Sequence, residues 1–143
     1  MSKRARSKGI ALVEYALILP VLLLLLAGVL NYGMALRTAT AMAMAARSGA
    51  QYGSGTLGRA SDTAGIRAAA VNSAPDVAAM TVSSAKSCQC SGGGAVSCSG
   101  TCAGGKMLVY VQVTARATAT TFFNYPALGF SGNVSSQATL RVQ

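Results

Sequence analysis

The 143-residue chain contains no histidine and no tryptophan, and its only acids are Glu14, Asp62 and Asp76. Without imidazole, and with carboxylates this sparse, the usual general acids, general bases and nitrogen metal ligands are missing. The composition therefore argues against an enzyme, and neither a cofactor nor a metal is expected. Twelve Lys and Arg residues give a formal net charge of +9. Four of them, Lys3, Arg4, Arg6 and Lys8, crowd the extreme N-terminus, and setting these aside leaves eight cations against three acids, a balance of +5. Those eight are scattered from Arg37 to Arg141 with no dense basic stripe or interleaved aromatics, so no nucleic acid is expected as a partner. The length allows one small folded unit plus an anchor and leaves little room for a second core.

What the chain has in quantity is apolar sequence. From Ile10 to Leu30 only Glu14 interrupts an otherwise uncharged, mostly aliphatic run. At 1.5 Å per residue a helix of this length crosses roughly 30 Å of hydrocarbon. Basic residues precede the run and none follows until Arg37, which predicts a single-pass membrane helix with its N-terminus in the cytoplasm and everything after Asn31 on the far side. A cleavable secretory signal has the same outline, with a cut between Ala39 and Ala46. Three features count against it: the length of the run, the charge within it, and the Ala- and Met-rich helix that continues beyond Leu30. Pro20 removes a backbone donor inside the run and predicts a bend. Ala35, Ala39 and Ala43 recur at a spacing of four, which suits either close helix approach or plain helix propensity.

A carboxylate in such a segment is costly unless something pairs with it or it reaches the headgroups. The residues around Glu14 supply a reason for its presence. The stretch KG/IALVEY places Gly9 five positions before Glu14, with Tyr15 next, and this resembles the processing site of type IV pilin-like proteins. The Glu-Tyr pair is similar to that of the Tad (Flp) branch. The resemblance implies a prepilin peptidase that cuts after Gly9, removes a basic leader of residues 1–9 and leaves Ile10 as the new N-terminus. Glu14 would then lie one helical turn from an α-ammonium, its own or a neighbour's, and pairing across subunits would set their register. The further segments Leu19-Pro20, Gly28 to Gly33 and Ala46 to Ala50 resemble the N-terminal module of TadE-like proteins. About ninety residues follow the helix, more than in a major Flp pilin. The resemblance thus implies a non-enzymatic minor pseudopilin that initiates or supports pilus assembly. Its implied partners are prepilin peptidase, the major Flp pilin, another pseudopilin, the inner-membrane platform of the Tad machinery and membrane lipid. The localisation implied is the inner membrane, then the pilus or cell surface. An anchored envelope binding protein or pilus-tip adhesin is the alternative, and DNA capture by a competence-type pseudopilin is a more distant one.

The expected fold class is α+β: a long N-terminal helix over residues 10–52, then a domain over 53–143 with a second short helix and a small antiparallel, pilin-like sheet. Glycines between Gly49 and Gly55 predict the end of the long helix, followed by a linker. SDTAGIRAAAVNSAP predicts the second helix, capped by Ser61 or Asp62, carrying Ile66, Ala69 and Ala70 on one face and ended by Pro75. Its alanine-rich face is expected to lie shallowly against a sheet. Strands are predicted from Val77, over KMLVYVQVTARATAT, and from Val134. In the middle one Leu108, Tyr110, Gln112 and Thr114 share one face and Met107, Val109, Val111, Val113 and Ala115 the other. The segment FFNYPALGFSGN gathers Phe122, Phe123, Tyr125, Leu128 and Phe130, either as a loop closing the sheet edge or as a partner-binding patch. Cys88, Cys90, Cys98 and Cys102 fall in a hairpin at 88–102. Outside the cytoplasm disulfides are the default, and the CxC and CxxxC spacings fit a zinc site poorly. Of three pairings, the nested one, Cys88 with Cys102 and Cys90 with Cys98, is preferred for a hairpin turning at Gly92 to Gly94.

Overall fold

A computed structural model describes residues 4–119 and 132–143, with side chains placed from Leu12 onward. The aromatic segment around Phe122 to Phe130 lies outside the described residues. Leu-, Ala- and Met-rich sequence, all good helix formers, builds α1, which runs without interruption from Arg4 to Ser54 and passes through Pro20. It begins ahead of Gly9, so the backbone at Gly9 and Ile10 is helical, not extended. Two short helices follow. Thr56, in an extended conformation, accepts from Arg59 N–H at 3.2 Å and starts α2, Leu57–Ser61, where a linker was expected. Asp62 then caps α3, Thr63–Asn72, through Oδ1, which accepts from Gly65 N–H at 2.9 Å.

Four antiparallel strands form one sheet in the order β2-β1-β3-β4. They are β1 (Thr81–Cys90), β2 (Ala95–Val96), β3 (Met107–Thr118) and β4 (Asn133–Arg141). The first strand starts at Thr81, not Val77, and continues through both of its cysteines. The reason is β3, whose partners extend along β1 from Thr81↔Arg116 to Cys90↔Met107. The added strand, β2, is the second arm of the hairpin that turns at Gly92 to Gly94, where Gly93 and Gly94 take φ of 91° and 99°. On β3 the alternation is as expected, with Val111, Val113, Ala115 and Ala117 buried.

One face of the sheet is covered by helices, and the core between them has two parts. Met42, Ala45 and Ala46 of α1 meet Ala70, Ala74, Met80, Ala115 and Ala117. Further along, Ala50 joins Ala60, Ile66, Val111, Val113 and Val142. α3 packs chiefly on α1 and meets the sheet mainly at β1, so the second helix is less a covering of the sheet than a brace for the first. Ser48 Oγ donates to Ala69 O at 3.1 Å across that helix pair. The C-terminal strand closes the far end, where Gln143 N–H donates to Ser54 O at 3.0 Å.

Because the helix face is mostly alanine, burial requires short interaxial distances, and two glycines permit them. A Cβ at Gly49 would stand 3.1 Å from Val113 Cγ1 and 3.2 Å from the backbone oxygen of Ile66. At Gly53 it would stand 3.0 Å from Val111 Cγ1 and 3.1 Å from Ile66 Cδ1. The helix ends at Ser54, within the expected range of Gly49 to Gly55; Gly49 and Gly53 lie inside it and seat it on the sheet. A Gly49→Leu substitution is expected to cost about 1–3 kcal/mol through overpacking, read as a lower thermal midpoint. Gln51→Leu, on the exposed side of the same helix, should leave that midpoint in place.

Candidate membrane and assembly interface

α1 is one helix in two environments. From Ala41 onward it is progressively buried against the sheet, whereas Leu12 to Leu30 has almost no cover, with Leu12 71% and Leu24 69% exposed. A mean hydropathy of 2.5 over its most apolar stretch makes it the one helix among the described residues long and apolar enough to cross a membrane. This fits a single-pass anchor. Glu14 sits near the start of the uncovered part, exposed, with Leu17 and Ile18 as its neighbours one turn on. Tyr15, 73% exposed, lies about 100° round the helix from it, so the two do not form one side-chain pair.

Among the described residues the only ion pair is Arg37 with Asp76, at 3.1 Å and well exposed. Arg37 is the first cation after the apolar run, roughly 10 Å along the helix from Leu30. Such an exposed pair adds little stability. Its effect is positional, tying the exit of the run to the turn that leads into β1.

A second polar constellation fixes the other end of the domain. Tyr52, the last aromatic of α1, donates through its hydroxyl to Asp62 Oδ2 at 2.9 Å, while Oδ1 accepts from Gly65 N–H. The Arg59 guanidinium stacks 5.1 Å from the Tyr52 ring centre. Gly65 leaves room for this arrangement, because a Cβ would displace the Asp62 carboxylate and the Tyr52 hydroxyl from their present positions. The Gly65 N–H first, and then the Tyr52 hydroxyl, hold the Asp62 carboxyl below its ordinary range. The same hydrogen bond to Asp62, reinforced by partial burial, pushes the Tyr52 phenol up. Asp62 was legible as a cap; its bond to Tyr52 was not, since ten residues and a helix break separate them.

The four cysteines are all oxidised, in Cys88–Cys98 and Cys90–Cys102. No thiolate among them remains for zinc, and the nested pairing is corrected to an interleaved one. The physical reason is register. Cys88 opposes Val96 and Cys90 N–H donates to Gly94 O at 3.1 Å, so no cysteine faces another across the hairpin. After only two paired residues the chain leaves the ladder and brings Cys98 back to Cys88, which is 3% exposed, and Cys102 to Cys90.

An apolar, uncovered N-terminal helix runs without a break into a small α+β head, a plan that fits a single-pass anchor carrying that head. Residues 9–51 match the family model described as TadE-like protein, a segment that holds Gly9, Ile10, Glu14 and Tyr15. That match is consistent with a TadE-like protein of the Tad pilus system; the sheet and the disulfide hairpin lie beyond it. No curated protein and no solved structure matches the chain.

With its native carboxyl held below the unfolded value of about 3.9, Asp62 favours folding in its ionised form. That contribution is complete above the unfolded value and disappears as the pH falls through the native one. The thermal midpoint of the unaltered protein should therefore drop faster between about pH 5 and pH 2 than that of Asp62→Asn, which keeps a capping oxygen but does not titrate. Parallel curves would show that the Tyr52 and Gly65 bonds do not favour the ionised form.

Proposed function

We propose that this protein is a non-enzymatic minor pseudopilin, held in the inner membrane with its N-terminus in the cytoplasm and incorporated into a Tad-type pilus after prepilin peptidase cuts between Gly9 and Ile10. The observation that carries the reading is Glu14. It is a carboxylate on an exposed, otherwise apolar helix, no cation pairs with it among the described residues, and the segment around it matches TadE-like proteins. Left unpaired in lipid, such a charge is costly. Cleavage creates an ammonium at Ile10, and a neighbouring subunit's ammonium at the right axial offset relieves the cost. The helix supplies the offset: Ile10 and Glu14 are one turn apart, so a shift of about 6 Å along the axis brings the amine of one subunit level with the carboxylate of the next. The major Flp pilin, a second pseudopilin and the inner-membrane platform are the partners this reading requires.

Intact mass and N-terminal sequence of the membrane-extracted protein, from cells with and without the cognate prepilin peptidase, test the processing step. A peptidase-dependent chain beginning at Ile10 is expected, and Gly9→Leu should block it. A chain that keeps Met1 to Gly9 in both backgrounds would make the protein a plain signal anchor.

Glu14→Ala addresses assembly separately. Membrane insertion should be unaffected, since the change makes the segment more apolar, but the protein should no longer co-purify with the pilus. Undiminished co-purification would defeat the charge-pairing account while leaving processing untouched.

A further inference from the structure

The free edge of β1 and the exposed flank of α3 together form a groove, and we infer that it is the docking site for an extended strand of a partner protein carrying a carboxylate. The backbone is the starting point. β1 is paired along its whole length with β3, but on its other side β2 reaches only Cys88 and Gln89. Cys90 N–H points to the β2 side, since it donates to Gly94 O, whereas Ser91 N–H donates toward Lys106 O on the β3 side. Alternation then directs the N–H and C=O of Val82, Ser84 and Lys86 to the open side. Among the described residues no hydrogen bond meets those groups at Val82 or Ser84.

The open edge is not bare. α3 runs alongside it, and Ala64, Arg67, Ala68 and Val71 form the other wall of a groove of about 790 Å³ with Val82 and Ser84. Val71 is 39% exposed although it is the one large apolar side chain on that wall. An incoming strand that paired with Val82 and Ser84 would set alternate side chains on Ala64, Ala68 and Val71, the arrangement by which extended peptides add to sheet edges. Thr81 to Ser87 holds no proline, and its one lysine, Lys86, turns its amine to Ser61 Oγ at 3.0 Å.

Charge and direction identify the occupant. Arg67 has no partner among the described residues, while Asp62 is engaged as a cap and Asp76 by Arg37. A carboxylate on the incoming strand would meet this guanidinium at the groove wall. A second copy pairing its own β1 is disfavoured by geometry. β1 runs from the Met42 end of the domain toward the Ser54 end, the same sense as α1, and two β1 edges related by a two-fold axis would be antiparallel. Their anchors would then point in opposite directions and could not share one bilayer. The proposal is independent of cleavage at Gly9 and of the pairing of Glu14.

The test uses the full chain in detergent micelles and a synthetic peptide of about nine residues alternating valine and threonine around a central glutamate. Saturating peptide should slow amide exchange at Val82 and Ser84, with Thr114 and other β3 amides unchanged. Ser84→Pro should retain the thermal midpoint, because the lost N–H is unpaired, and weaken peptide binding at least about tenfold. Arg67→Glu, which leaves β1 untouched, should reverse the preference toward a lysine-centred peptide by a similar factor. No protection at saturation, or binding indifferent to both substitutions, would overturn the inference. So would protection of Val82 and Ser84 that grows with protein concentration in the absence of peptide, which would assign the edge to a second copy.

Discussion

Close approach between α1 and the sheet is the constraint on which the rest of the structure depends. A core made largely of alanine gains little apolar area per residue, so it must be thin and tightly registered to exclude water. Gly49 and Gly53 allow that on the helix side, and the β-branched Val111 and Val113 fill the space they leave. Ile66 of α3 is the one large aliphatic residue inserted from the side, and it touches the same glycines. Once α1 is seated, α3 has only one place to lie, which in turn holds Asp62 within reach of Tyr52.

The polar features sit at the two ends of this thin core. At the end nearest the apolar run, Arg37 and Asp76 clip the helix to the turn before β1. At the other, the Tyr52, Asp62 and Arg59 cluster and the backbone bond from Gln143 to Ser54 secure the end of α1. The disulfide hairpin projects beyond the second end, where little hydrophobic area is available and covalent links replace it.

Much of the fold was legible because single-residue periodicities decided it. The alternation from Met107 to Ala115 identified the buried face of β3, and Asp62 ahead of an Ile66-centred stripe identified α3. The errors share a cause, which is dependence on partners distant in sequence. The glycines from 49 to 55 placed the helix end correctly, at Ser54, but the packing role of Gly49 and Gly53 depends on the sheet about sixty residues away. The starting point of β1 is set by β3, and the cysteine pairing by a register that the triple glycine shifts by a residue or two. For the candidate interface, Gly9, Ile10 and Glu14 were singled out by a family resemblance carried in a short local motif, whereas the groove beside β1 needed the sheet order to be known.

The continuity of α1 has a mechanical meaning. No linker separates the part that fits a membrane from the part that carries the sheet, so the two cannot swivel independently. The azimuth of Glu14 relative to the β1 groove is a fixed phase, and each residue added to or removed from the helix between Leu30 and Ala41 would turn it by about 100° while moving the head only 1.5 Å. A helix of this kind behaves as a keyed shaft: whatever orients its charged end also aims the head.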